Sequence, residues 1–276
     1  MEWTTALSLS ARTAKMGYDN ISTIQKYWTV FKAKLDLGET QIVVTGHSGA
    51  GKSILTAQIH GSARNLYYEL PGESLTTEVE AISIGEWTKL VRVLPGQKSR
   101  RIKGEINTFE NNKSLEGVIH LVDFGYVSPR DSTSAQILID KDKLDTIEKL
   151  RERNLKLEIQ NLKDVLNDIH KLYHKHQRPK WLLIAVNKVD LYLDQKDKAL
   201  AHYHPDGISE FSKTLSEFQS ILGKQNFAIY VSNVCAHEDN FEWNNYIEPS
   251  KLKKQEQNTI LRSFSETLTH ITAIHS

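Results

Sequence analysis

Apolar residues in this chain gather into short runs separated by longer stretches with helical spacing. Ile42-Val43-Val44, Leu90 to Leu94, Gly117 to Val122, Trp181 to Val186 and Phe227 to Val231 are rich in β-branched or bulky apolar side chains, as buried strands are. Between them the period changes. Ile21, Ile24, Tyr27, Trp28, Phe31 and Leu35 recur at helical spacing, with Asn20 placed as a cap and Gly38 as a stop. Ile54 to Ile59 predicts a second helix, and a last one is expected near 252–274. The segment 141–178 is densely charged and free of glycine. Its Leu155, Ile159, Leu162, Leu166, Ile169 and Tyr173 are spaced alternately four and three apart, and Pro179 stops it. It predicts a long helix, either laid along the sheet or projecting as an arm toward a partner or a second copy. Strands alternating with helices predict an α/β fold, a mainly parallel sheet between helical layers. The expected organisation is a helical extension over 1–38 and one domain over 39–276.

Composition narrows the class only a little. The chain has 276 residues and a net charge of +1, so no global field points to nucleic acid or to an acidic membrane surface. Its single cysteine, Cys235, rules out an internal disulfide and fits a reducing compartment, so a cytoplasmic location is expected. The opening residues show no basic leader before a long apolar run, so no signal peptide is expected. No stretch is apolar enough to predict a membrane-spanning helix. Trp28 and Phe31 beside Lys26, Lys32 and Lys34 leave room for peripheral membrane or partner contact by the first helix, the other reading being a helix packed outside the core.

The chemistry is concentrated after the first strand. Gly46-His47-Ser48-Gly49-Ala50-Gly51-Lys52-Ser53 matches GxxxxGK[ST] at every fixed position. A polyphosphate needs several backbone N–H groups aimed inward at once, and glycines permit the tight turn that aims them. Lys52 is expected to reach the terminal phosphates and Ser53 to offer its hydroxyl to Mg²⁺. Ile54 continues into a helix whose N-terminal dipole favours the anion. Gly46, Ser48, Gly49, Ala50, Gly51, Lys52, Ser53 and Ile54 are therefore the candidate phosphate-binding residues.

Asn187-Lys188-Val189-Asp190 ends a later apolar run. A carboxylate in the base plane can accept hydrogen bonds from N1–H and the 2-amino group of guanine, and adenine has no such pair of donors on that edge. Asp190 is thus the candidate base reader. Asn187 would fasten the base or its loop, and the Lys188 stem would cover the ring.

With these motifs in this order, residues 40–275 resemble the Ras-like, translation-factor-related GTPases, a phosphate-loop family. The resemblance implies GTP or GDP as ligand, Mg²⁺ as cofactor, and a protein effector or partner subunit, with no nucleic acid. It implies that Thr77, or Thr76, closes on the metal beside Ser53. It also implies that Ser232-Asn233-Val234 backs the base, keeping the serine of the usual Ser-Ala-Lys and losing its lysine. Gly96 and Gln97 in Val93-Leu94-Pro95-Gly96-Gln97 match the third motif, Gly96 meeting the terminal phosphate and Gln97 orienting water. Gln97, Lys52 and Thr77 are the implied catalytic residues. Val93 stands where the family has aspartate, which implies weaker metal binding and slow turnover.

Three functions follow as expectations. One is a GTP-binding switch with slow hydrolysis. Another is a scaffold that holds guanine nucleotide without turnover. The third is an ATP-using enzyme with Asp123 as the metal-holding carboxylate. Asp123 otherwise reads as an ordinary strand-end residue, the alternative being a rearranged site in which Asp123 or Glu69 approaches the metal. Arg92, Arg100 and Arg101 read as a solvated basic loop or as charges acting in cis. His202 and His204 read as loop residues and Cys235 as a buried thiol.

Overall fold

The computed structural model describes residues 40–60, 78–84, 87–94, 112–129 and 131–275, with 78–90 as backbone only. The expected N-terminal helix, Glu69, Thr76, Thr77, Gly96, Gln97, Arg100 and Arg101 lie outside the described residues.

Strand β1 (Ile42–Gly46) pairs in parallel with β3 (Trp87–Val93) on one side and β4 (Gly117–Val122) on the other. Beyond β4 come β5 (Trp181–Val186) and β6 (Ala228–Asn233), also parallel. Strand β2 (Glu78–Ile84) is an antiparallel edge on β3, giving the order β2-β3-β1-β4-β5-β6. The chain leaves β1 toward one edge and returns through β4 toward the other. The carboxyl end of β1 therefore opens on the crevice where such sheets bind ligands.

The strands alternate their side chains between two apolar layers, as a pleat requires. On one face Val43, Val118, Val122, Leu182, Ile184 and Val186 pack beneath three helices, α3 (Ile147–His176), α4 (Lys196–Tyr203) and α5 (Glu210–Leu222). On the other face Ile42, Val44, Val91, Ile119, Leu183 and Ala185 pack beneath α1 (Lys52–His60) and the C-terminal α6 (Lys254–His275). The result is the three-layer α/β arrangement that the alternating pattern predicts. A short α2 (Ser132–Asp140), a 3-10 turn (Val189–Gln195) and a hairpin of β7 (Phe241–Trp243) and β8 (Tyr246–Glu248) complete the described chain.

The charged segment lies on the sheet. Leu150, Leu162, Val165, Ile169 and Leu172 of α3 are buried, each stabilising the fold by about 1.5–3 kcal/mol. Of the expected stripe, Ile159, Leu162, Leu166, Ile169 and Tyr173 are buried and Leu155 is only partly so, while Leu150, Val165 and Leu172 widen the buried face. Thr146 caps the helix by accepting from the Lys149 N–H, and Gln177 ends it in a left-handed conformation ahead of Pro179. None of the described helices is long and apolar enough to cross a membrane.

Candidate functional site

Three loops meet at the carboxyl edge of the sheet, and α3 sits beneath one of them. The first runs from β1 into α1. Gly46, Gly49 and Gly51 all have positive φ. At Gly51 a Cβ would stand 2.5 Å from Asn187 Nδ2, and at Gly46 it would stand 2.6 Å from the Leu121 carbonyl, so both positions also need the missing side chain. Lys52 opens α1, and its Nζ donates to the carbonyls of Gly46 and His47 at 3.0 and 2.9 Å. The ammonium thus arches over the loop, where phosphates would take it from those carbonyls. Ser53 and Ile54 follow in the first turn of α1, whose N–H groups have no carbonyl within the helix to bond. Burial holds the His47 imidazole below its ordinary pKa. The Lys52 and Arg153 charges push the same way, while the Ser48 carbonyl and Asp123 push against them.

The second loop follows β5. Asn187 is 2% exposed, and its two side-chain atoms join separate segments. Nδ2 donates to the Ala50 carbonyl at 2.7 Å, and Oδ1 accepts from the Ala236 N–H at 2.9 Å. Lys188 stands in the left-handed region at φ 60, a conformation that a non-glycine residue holds at some cost. Its Nζ donates to the Tyr126 carbonyl and lies 3.2 Å from the Asp123 carboxylate. Asp190 is 1% exposed and accepts from Cys235 Sγ at one oxygen and from the Asp239 N–H at the other. These bonds fix the carboxylate plane while each oxygen keeps a lone pair for a ligand. A cavity of about 200 Å³ opens here, lined by Gly51, Ile54, Asn187, Lys188, Asp190 and Ala236 among others.

The loop behind the base site begins later than the resemblance implies. Ser232 and Asn233 are the last residues of β6, in register with Ala185 and Val186. Cys235 and Ala236 are the residues that bond Asp190 and Asn187. Burial first, and then Asp190, push the Cys235 thiol well above its ordinary pKa, so it is a hydrogen-bond donor here and not a nucleophile.

The third loop, 123–129, follows β4 and is held from below by α3. Arg151 donates to the Phe124 carbonyl at 3.1 Å, and its guanidinium lies 4.1 Å from the Tyr126 ring centre. Asn154 donates to the carbonyls of Gly125 and Val127 at 2.8 and 2.7 Å. Glu158 Oε1 accepts from the N–H groups of Asp123 and Gly125, and Oε2 accepts from the Tyr203 hydroxyl. Burial and the neighbouring Asp123 push the Glu158 carboxyl up to about 8, so it holds a proton at neutral pH. Sequence reasoning missed these residues, although Asn154 and Glu158 stand four and eight residues after buried Leu150, polar side chains on an apolar stripe.

Asp123 faces Lys188 and Glu158. Arg92 is buried in β3 between β1 and β2, not in a solvated loop. His202 stacks its ring edge against Tyr203, and His204 caps α4 beside Asp206. Among the described residues no group of three or more His, Cys, Asp or Glu side chains is arranged to hold a metal. Ser53, the residue expected at Mg²⁺, is the second residue of α1 and is half-buried at the end of the phosphate loop.

A glycine-turned loop at the end of β1, its lysine over the loop, and a parallel sheet that reverses direction at β1 together define a P-loop α/β nucleotide-binding fold. No protein-family model matches the sequence, and no curated protein matches it. Among solved structures, the mammalian SRP receptor gives a TM-score of 0.47 at 17% identity, covering 84% of this chain and 99% of that one. The Arl6 BBS3 small GTPase of Trypanosoma brucei, with the bound nucleotide analogue GppNp, gives 0.38 at 15% identity, covering 83% and 98%. At that distance the fold class rests on the sheet order and the phosphate loop of this chain.

Proposed function

We propose that this chain is a guanine-nucleotide switch, binding GTP and GDP with Mg²⁺ and hydrolysing GTP slowly. The observation that carries the reading is Asp190. Its carboxylate is buried at the mouth of a cavity shared with Gly51 and Ile54 of the phosphate-loop region, and it is fixed by Cys235 and the Asp239 amide. Asn187 ties that cavity to the phosphate loop through Ala50, so base and phosphates are gripped by one connected frame. Lys52 and the loop amides would hold the phosphates, and Ser53 with Thr77 the metal. Gly96 and Gln97 would serve the terminal phosphate and the attacking water. Val93 is 1% exposed in the β3 core and supplies no carboxylate, which supports slow turnover. The same residue favours a second reading, a scaffold that binds guanine nucleotide without hydrolysis. Under either reading a protein effector is the expected partner, in the cytoplasm.

The test is equilibrium binding of fluorescent GDP and a GTP analogue to wild type, Asp190→Asn and Lys52→Ala, with phosphate release measured beside it. Two charge-assisted hydrogen bonds lost at Asp190→Asn predict guanine affinity lower by about 10²-fold or more. Xanthine carries an oxygen where guanine has its amino group, so it should bind the variant better than guanine does. Equal guanine affinity for wild type and Asp190→Asn would refute the base assignment. Phosphate release that disappears in Lys52→Ala supports the switch, and binding without release selects the scaffold.

A further inference from the structure

A second cavity, of about 460 Å³, lies against the phosphate loop and shares Gly49 with the Asp190 cavity. Its walls include His47, Ser48 and Gly49 of the loop, Val127 after β4, Arg153 of α3, and the carboxylate residue Asp131, whose side chain is held by the Ser134 N–H as the cap of α2. Arg153 is partly buried, and its one described hydrogen bond runs from Nη1 to the neighbouring Asn154 Oδ1 at 3.1 Å. Among the described residues no carboxylate stands within ion-pair distance of it. Its charge is near enough to His47 to help keep that imidazole neutral. A guanidinium with no ion-pair partner among the described residues, lining a cavity against a phosphate loop, is suited to an anionic oxygen. The base of the side chain is fixed, because α3 is anchored one residue on by the two Asn154 bonds to Gly125 and Val127.

We propose that Arg153 reads the terminal phosphate, donating its guanidinium N–H groups to oxygens present in the triphosphate and absent from the diphosphate. The inference rests on the guanine-nucleotide reading above and adds a residue to that site. In the ground state the contact makes the protein prefer triphosphate. During hydrolysis water attacks the terminal phosphorus, the bond to the bridging oxygen breaks, and GDP leaves with the electron pair. The proton the water gives up passes to an oxygen of the released phosphate. Arg153 then steadies the charge spread over the transferred oxygens, and no proton passes through it. A positive charge of this kind offsets part of what the site lacks at Val93.

The experiment compares wild type, Arg153→Ala, Arg153→Lys and the distant control Lys156→Ala, using fluorescent GDP and a non-hydrolysable GTP analogue with Mg²⁺. Thermal midpoints check that each variant folds. Arg153→Ala should lower the triphosphate-to-diphosphate affinity ratio by about tenfold or more while leaving GDP affinity within about twofold. Single-turnover phosphate release should fall further than that ratio, by roughly 10²-fold, because the contact is strongest in the transition state. Arg153→Lys should recover the charge but not the two-pronged contact, and Lys156→Ala should match wild type. An unchanged ratio in Arg153→Ala, or an equal loss for GDP and the GTP analogue, would overturn the proposal while the guanine site stood. Failure of wild type to bind either nucleotide would overturn the guanine reading and this inference with it.

Discussion

Glu158→Gln tests the buried proton beneath the β4 loop. Unfolded, this carboxyl titrates near 4.3. Folded, it is pushed up to about 8, first by burial and then by Asp123. Between those values the folded chain holds a proton that the unfolded chain has released. Stability from this group is therefore full at low pH and is lost as pH rises toward 8. One proton corresponds to a slope of about 1.4 kcal/mol per pH unit, so wild type should lose about 2–3 kcal/mol from it between pH 5.5 and 7.5. Glutamine keeps an oxygen for the Asp123 and Gly125 amides and puts its NH2 where Oε2 meets the Tyr203 hydroxyl, a change of partner that costs the same at every pH, and it does not titrate. The assay is urea unfolding at pH 5.5, 6.5 and 7.5 for both proteins. Burial pulls His47, His202 and His275 below their ordinary values, which makes stability rise with pH, the opposite sign. Those groups are common to both proteins and cancel in the difference. The variant should gain on wild type steadily as pH rises. Parallel stability curves would refute the reasoning.

Two further predictions concern the frame of the site. Asn187→Ala leaves the buried Ala50 carbonyl and Ala236 N–H without their partner. It should cost about 2–4 kcal/mol in thermal unfolding and weaken GDP and GTP analogue alike, and an unchanged melting point would count against the bridge. At Gly117 a Cβ would stand 1.9 Å from the Trp181 ring. Gly117→Ala should therefore destabilise by about 1–3 kcal/mol in urea, and a second change, Trp181→Leu, should recover part of the loss; an additive double variant would argue otherwise.

The parts of this fold that could be read from sequence are those whose physics is local. A β-branched run makes a strand, and a glycine-turned loop ending in Lys52-Ser53 needs only its own spacing to declare phosphate chemistry. Asn187-Lys188-Val189-Asp190 is similar, because the residues proposed to read and cover a base are neighbours in the chain. The residues that bond Asp190 and Asn187 come just after the expected Ser232-Asn233-Val234 or at its edge, for a physical reason. Strand β6 continues through Ser232 and Asn233, since their backbones pair with Ala185 and Val186 whatever their side chains. Asp190 accepts instead from Cys235, whose thiol does a hydroxyl's work as a weaker donor. The β7–β8 hairpin, where Phe241 and Trp243 face in and Glu242 faces out, is too short for its alternation to stand out.

The polar residues of α3 belong to a different category, since their role exists only once distant segments meet. Arg151, Asn154 and Glu158 bond the backbone of 123–127 from three positions on one helix. That loop supplies Asp123 and the Tyr126 carbonyl to Lys188 on one side. On the other, Val127 stands so close to Gly49 that a Cβ there would meet it at 2.5 Å. The base motif and the phosphate loop are thus coupled twice, directly through Asn187 and indirectly through a loop clamped to α3. A displacement of α3 would therefore reach both the phosphate loop and the loop that carries Lys188. The helix is long and charged outside, but its inner face carries polar groups where an ordinary amphipathic helix would carry leucine. Burying those groups is costly unless they are bonded, and apart from the Tyr203 hydroxyl on Glu158 the bonds that Arg151, Asn154 and Glu158 make across to other segments lead to the 123–127 loop.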